Sequence, residues 1–310
     1  MPNPLNIAHR GGAGLRPENT LAAFRDAVAR GADGAELDVQ LSRDGQVVVY
    51  HDYRLKPEIT RLNGAWLERP TPRIKDLKFA ELESFDIGRC DPHSKYASLH
   101  PDVRAEDGER IPTLAQVVDV AKTAKKDFWL QVELKTSFAN REEGPDPIAL
   151  ADAAVALLRE ANYLHRTIFV GFDWPALLHA KTLSPSTECW FTTLAQSWFE
   201  DGPVPPQDDP PSEPVLQALR HWARTGTSPW AGGYDAVKYD GSILKAIKAA
   251  GGDGWFPPYG DINPMRVAFA RALGLKVGAW TVDDPAQMQR MIATGIDAIC
   301  TDRPDILSEH

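Results

Sequence analysis

Cysteine is scarce in this chain: Cys90, Cys189 and Cys300 are the only three in 310 residues, and no two of them form a CxxC pair. That excludes a disulfide framework and a zinc knuckle, and free thiols in a chain of this length point to the cytoplasm. Long apolar runs are missing too, since even the Ala/Leu stretch 148–158 is broken by Asp152. A membrane-spanning helix needs about 20 apolar residues, so no membrane insertion is expected. The start, Met-Pro-Asn-Pro-Leu-Asn, has neither the basic residues nor the apolar core of a secretory signal. Positive charge is in deficit, with 34 Lys and Arg against 43 Asp and Glu and a formal net charge of −9. Binding to nucleic acid draws on clustered Lys and Arg, so nucleic acid is not expected as a partner.

What is present is an alternation of short apolar runs with helical periodicities. Strands are predicted at 5–9, 34–41, 128–135, 167–172, 188–193, 253–257, 275–282 and 297–301. Between them the 3.6-residue spacing of apolar positions predicts helices over 18–30, 113–124, 147–162, 175–183, 213–224, 242–250, 264–273 and 284–294. Eight strands alternating with helices call for a parallel sheet, either doubly wound or closed as a (β/α)8 TIM barrel. No Gly-x-Gly-x-x-Gly follows the first strand, which removes the dinucleotide-binding open sheet and favours the barrel. We read residues 1–310 as one domain. Residues 55–112, polar and punctuated by proline, are too long for a loop and read as a small inserted subdomain after the second strand. The six prolines within 202–214 read as a stiff loop. Both segments are expected at the catalytic end of the barrel, where specificity loops reside.

The segment Ala35-Glu36-Leu37-Asp38-Val39-Gln40-Leu41 carries the chemistry. Side chains alternate along a strand, so Glu36, Asp38 and Gln40 share one face. Alone, this would be an exposed strand face with its carboxylates paired to Arg or Lys. In a barrel both faces are covered, and the apolar face belongs against the helices, which sends the acids inward. Strand 128–135 repeats the pattern, with Trp129, Gln131, Glu133 and Lys135 on the inward face. Buried carboxylates need strong compensation, and a set of oxygen donors from Glu36, Asp38 and Glu133 suits Mg²⁺ or Ca²⁺ better than zinc, with Mn²⁺ accepting the same oxygens. His9 closes the first strand, and His51 closes a strand over Val47–Tyr50 that returns through the Asp44-Gly45 turn. Two imidazoles at strand ends suit a general base and a general acid, with His51 taken as the acid. Arg10 and Lys135 add fixed positive charge fit for a phosphate. Together these groups describe cleavage of a phosphodiester. Trp280 is expected at the barrel mouth against a substrate's carbon skeleton, with plain core packing the other role open to it. The remaining histidines, His93, His100, His165, His179, His221 and His310, are read as surface or packing residues.

A set of blocks in order also resembles a known family. Ala8-His9-Arg10-Gly11-Gly12, Pro17-Glu18-Asn19-Thr20, Glu36-Leu37-Asp38-Val39, Asp44-Gly45 and His51-Asp52 are similar to motifs of the glycerophosphodiester phosphodiesterases. The likeness continues through Ile111-Pro112-Thr113-Leu114, Val132-Glu133-Leu134-Lys135, Ala279-Trp280-Thr281-Val282 and Thr301-Asp302-Arg303-Pro304, so that it spans residues 8–304. The resemblance implies a (β/α)8 barrel that hydrolyses small glycerophosphodiesters to sn-glycerol 3-phosphate and an alcohol. It implies His9 and His51 as the acid–base pair, Arg10 and Lys135 at the phosphate, and one divalent cation on Glu36, Asp38 and Glu133. Residues 55–112 are similar to the family's insertion over the active site. Ser42 stands where Thr is more usual, and 184–252 match no motif. Two other functions fit the same residues: a barrel phosphodiesterase of phospholipase type that forms a cyclic phosphate, and a silent phosphodiester-binding barrel. The first acts at membranes, which a net charge of −9 disfavours, and the second usually loses a histidine or carboxylate that is intact here.

Overall fold

The computed structural model describes residues 3–199 and 213–309. Its strands are β1 Leu5–Ala8, β2 Gly34–Leu41, β3 Val47–Val49, β4 Arg61–Leu62, β5 Ala65–Trp66, β6 Trp129–Leu134, β7 Thr167–Gly171, β8 Glu188–Thr192, β9 Gly254–Phe256, β10 Lys276–Ala279 and β11 Ala298–Thr301. Eight of them pair in parallel in the order β1-β2-β6-β7-β8-β9-β10-β11, and β11 pairs back onto β1. The sheet is therefore closed, as expected of a (β/α)8 barrel. Among the described residues no helix is long and apolar enough to cross a membrane.

The alternation along β2 and β6 divides their side chains as the pattern requires. Ala35, Leu37, Val39, Leu130, Val132 and Leu134 pack outward against the surrounding helices in the main core. Inside the barrel a separate apolar cluster forms from Ile7, Ile168, Val170, Trp190, Phe256, Ala298 and Cys300. Glycine at 278 makes room for it, because a Cβ there would stand 2.9 Å from the rings of both Phe256 and Trp190.

Most expected boundaries move by one to three residues, and two of the larger shifts have a clear physical reason. The first helix runs Leu21–Arg30 rather than from 18, because the Thr20 side chain accepts a hydrogen bond from the Ala23 amide and caps it. Pro17–Thr20 are thereby freed to turn into the barrel mouth. Strand β10 ends at Ala279 rather than 282. Beyond it the Trp280 amide donates to the Pro257 carbonyl (3.1 Å), and the Trp280 carbonyl accepts from Tyr259 (2.9 Å), which draws the chain towards the loop after β9.

The expected return strand is β3, antiparallel to β2 with Val39 opposite Val49. The inserted segment follows it and has its own small core of Tyr50, Leu55, Ile59, Ile74, Leu82, Ile87 and Ile111. Within it β4 and β5 form a hairpin turned by Asn63 (φ 51°) and Gly64 (φ 82°), the left-handed pair a two-residue hairpin loop requires. It lies against the loop leaving β1, where the Arg104 amide donates to the Leu15 carbonyl at 3.0 Å. That places it at the C-terminal, catalytic end of the barrel. The proline-rich stretch 202–214 falls almost wholly outside the described residues, and the helix Glu213–Thr225 overlaps its end.

Candidate active site

The sequence expectation brings seven polar residues to one mouth. Strand β2 supplies Glu36 and Asp38, only 2% and 1% exposed, and β6 places Glu133 opposite Asp38 in register. Each of the three offers an oxygen, and these atoms lie within 4.8 Å of one another. Lys135 follows on the same face, its Nζ 2.9 Å from Glu133 and 3.6 Å from Asp38.

His9 and Arg10 sit where the chain leaves β1 in a tight turn. Arg10 adopts a left-handed backbone (φ 50°), followed by Gly11 (φ 83°) and Gly12 (φ 100°). For a residue with a Cβ this costs about 1–2 kcal/mol, and the surroundings impose it. The Arg10 amide donates to Glu36 Oε2 at 3.1 Å, and its carbonyl accepts from the Asn19 amide at 2.9 Å. Its guanidinium Nη1 donates to both oxygens of Glu18 at 3.1 Å, while Nε lies 3.5 Å from Asp38 Oδ2. The His9 ring has Nδ1 2.7 Å from Asp302 Oδ1 and Nε2 3.8 Å from Glu36 Oε2. His51 returns from β3 at the level of Asp38, because the Tyr50 amide donates to the Asp38 carbonyl at 3.0 Å. Its Nδ1 is 3.3 Å from Asp52 Oδ1.

The electrostatics follow from burial and crowding. Burial raises the Glu36 carboxyl to about 8, helped by neighbouring Asp38 and Glu133 and opposed by His9 and Arg10. Burial and Asp38 also raise Glu133, against the pull of Lys135. Asp38 moves the other way: burial opposes ionisation, yet His51, Lys135, Arg10 and a 2.9 Å hydrogen bond from the Asn19 amide group hold it ionised. On His9 burial and Arg10 disfavour the charged ring, but the charge and hydrogen bond of Asp302, together with Glu36, prevail and push the pKa up to about 9. His51 is held well below its ordinary value by burial, Arg10 and Lys135. So two of the three clustered carboxylates lack enough compensation to ionise easily. An all-oxygen set in that condition fits a hard divalent cation. Gln131, opposite Glu36 in register and fully buried, adds a polar amide with no hydrogen-bond partner on either atom.

Four further residues of the mouth went unassigned in the sequence reading: Glu18, Asn19, Tyr96 and Asp302. Glu18 anchors Arg10, Asn19 anchors Asp38, and Asp302 orients His9. Tyr96, from the inserted segment, donates to Glu18 Oε2 at 2.7 Å. Glu18, Asn19 and Asp302 lie in the motif blocks quoted above, which was the available signal; Tyr96 had none. Trp280 stands half-buried on the interior apolar cluster, with its indole N–H donating to the Phe256 carbonyl at 3.1 Å and its ring edge-on to Phe172.

This arrangement at the strand ends of a closed parallel barrel puts the chain in the class of (β/α)8 barrels whose mouths gather carboxylates, imidazoles and fixed positive charge together. Comparison with known proteins narrows the class. The model of the glycerophosphoryl diester phosphodiesterase family matches residues 9–306. A glycerophosphodiester phosphodiesterase of Caldanaerobacter subterraneus subsp. tengcongensis is 30% identical over 303 residues, which cover 98% of this chain and 96% of that one. A Silicibacter pomeroyi DSS-3 structure described as a glycerophosphoryl diester phosphodiesterase superposes with a TM-score of 0.79 at 29% identity, covering 100% of this chain and 95% of that one. An Oleispira antarctica phosphodiesterase, solved in complex with the product sn-glycerol-3-phosphate, shares the fold at 24% identity and a TM-score of 0.68, covering 99% and 96%. The chain belongs to the glycerophosphoryl diester phosphodiesterase family.

Proposed function

We propose that this chain hydrolyses small glycerophosphodiesters to sn-glycerol 3-phosphate and an alcohol. In this reading Glu36, Asp38 and Glu133 hold one divalent cation, Mg²⁺ or Ca²⁺ with Mn²⁺ as the third option, Arg10 and Lys135 bind the phosphate, and His9 and His51 move protons. The observation that carries it is the convergence of the three carboxylates within 4.8 Å, with His9 Nε2 3.8 Å from Glu36. Bound there, a divalent cation would steady the developing charge on a phosphate oxygen and withdraw proton affinity from neighbouring His9.

The histidine roles follow from their partners. Asp302 on Nδ1 fixes the tautomer of His9 and leaves Nε2 to take the proton of the attacking hydroxyl, either a water or the substrate's own glycerol 2-hydroxyl, whose attack would give a cyclic phosphate that water then opens to glycerol 3-phosphate. His51 is neutral in the free protein chiefly through burial and the fields of Arg10 and Lys135. A phosphodiester between those two cations offsets them, so His51 regains a proton and delivers it to the departing alcohol. Trp280 borders the mouth and packs on the substrate's carbon skeleton. The three cysteines, all unpaired, support a cytoplasmic setting.

The test is a coupled assay for glycerol 3-phosphate release from choline, ethanolamine, glycerol and inositol diesters, with and without chelator. Release that depends on the cation is expected; absence of release from all four overturns the function.

Tyr96 supplies a second check. Its hydroxyl steadies Glu18, which in turn fixes Arg10. Tyr96→Phe is expected to raise KM roughly fivefold, equivalent to about 1 kcal/mol and the return on one typical hydrogen bond, with kcat and melting temperature nearly unchanged. A fall in melting temperature with unaltered KM would show that the tyrosine only holds the inserted segment in place.

A further inference from the structure

At the C-terminal ends of β6, β7 and β8 lies a half-open pocket of about 260 Å³, lined by Phe138, Phe172, Trp174, Phe199 and Trp230 among others. No residue assigned above to cation, phosphate or proton transfer lines it. It is nevertheless joined to the mouth by one ring contact and adjoins it along the chain. Phe172 forms its wall and meets the Trp280 ring edge-on, with centroids 5.5 Å apart. Phe138 follows Lys135 by three residues on the loop after β6 and meets Trp230 edge-on at 5.4 Å.

The frame around the pocket is built rather than incidental. Asp173, 1% exposed, accepts from Thr136 Oγ1 at 2.6 Å and from both terminal nitrogens of Arg141. Arg141 also donates to the Pro229 carbonyl, which ties the loop after β6, the turn after β7 and the segment carrying Trp230 into one unit. An apolar cavity of about 150 Å³ already accommodates benzene, so this one has room for a larger apolar group. Its lining argues against a quaternary ammonium. Asp235, the one carboxylate among the described lining residues, is occupied by the Ser228 amide (2.7 Å) and Lys238 (3.3 Å). A bound cation would find no free carboxylate among the described lining residues to balance it.

We propose that this pocket is a subsite for an apolar substituent on the phosphodiester, an alkyl or aryl group larger than a benzene ring. The inference rests on the phosphodiesterase reading for the rest of the ligand and adds the substrate class that the mouth alone does not define.

The test is titration calorimetry of octyl phosphate and sn-glycerol 3-phosphate against the full chain and against Ala223→Phe and Ala236→Phe, which narrow the pocket from two different elements. Octyl phosphate is expected to bind wild type at least ~10-fold more tightly than glycerol 3-phosphate, the return on burying about two methylene groups. At least one folded variant should lose that advantage while its affinity for glycerol 3-phosphate stays unchanged. Equal affinities in wild type, or an advantage untouched in both variants, overturn the subsite. So does phosphocholine showing the same advantage and the same loss, since that identifies a cage for cations. Turnover of a glycerophosphodiester with octanol as its alcohol, set against one with an octanoyl group on its glycerol, then locates the substituent. A gain of about tenfold over the ethanolamine diester for one of them is expected. If octyl phosphate keeps its advantage but no diester is cleaved, the catalytic reading fails and the pocket stands.

Discussion

His9→Ala and His51→Ala are each expected to lose at least ~100-fold in turnover of a glycerophosphodiester, the usual scale of a general acid or base, while remaining folded. Both side chains sit at the rim with 18% and 28% of their area exposed, so removing either leaves no large cavity. The two losses should nevertheless differ in kind. A base deficit persists whatever alcohol leaves, whereas an acid deficit matters only when the alkoxide needs a proton. With p-nitrophenolate as the leaving group, His51→Ala should therefore recover much of its rate, and His9→Ala should not. Recovery by His9→Ala instead would exchange the roles. That outcome has a rationale in the free protein, where Asp302 holds His9 up near 9 while burial, Arg10 and Lys135 hold His51 down. The assignment made here requires ligand binding to reverse those states. If both variants keep near-normal rates on natural diesters, the pair carries no proton traffic.

How much of this was legible beforehand depends on whether the information is local. The inward turn of Glu36, Asp38 and Glu133 was readable because a strand alternates with period two and a barrel covers both of its faces. Each residue's own neighbours in sequence sufficed. Asp302 was not readable in the same way, since it reaches His9 across 293 residues and only closure of β11 onto β1 brings the two together. Glu18 and Asn19 lie in a stretch with helical spacing, and the Thr20 cap, three residues before Ala23, decides that they turn into the mouth. The inserted segment hid its core because Ile59, Ile74, Leu82 and Ile87 are each isolated among polar residues and follow no period. Its Asn63-Gly64 pair was a hairpin signal in plain view. Tyr96 acts through a fold of that segment which no local pattern encodes.

Glu36→Gln is expected to abolish cation binding and to cost at least ~100-fold in turnover while leaving the barrel intact. Glutamine keeps the shape and an oxygen able to accept from the Arg10 amide, so the left-handed turn at Arg10 survives. What it removes is charge, and the stability of the cation-free protein reveals that. The Glu36 carboxyl is raised from 4.5 to about 8 by burial and by Asp38 and Glu133. Between those values the unfolded chain has released the proton and the folded chain still binds it, so this group makes folding less favourable as pH rises from about 4.5 through about 8. Glutamine cannot ionise. Without cation, the variant should therefore melt higher than wild type, by a margin that widens up to about pH 8 and then levels off. Adding Mg²⁺ or Ca²⁺ should reverse the order, because the cation stabilises only the protein that binds it. It should also release protons from wild type near neutral pH, since Glu36 must ionise to serve as a ligand. Calorimetric titration in buffers of different ionisation enthalpy counts those protons, and the melting curves need no substrate. Cation affinity unchanged in Glu36→Gln, or full activity of wild type after exhaustive chelation, would remove the cation from the mechanism. His9, His51, Arg10 and Lys135 would then have to carry the reaction alone.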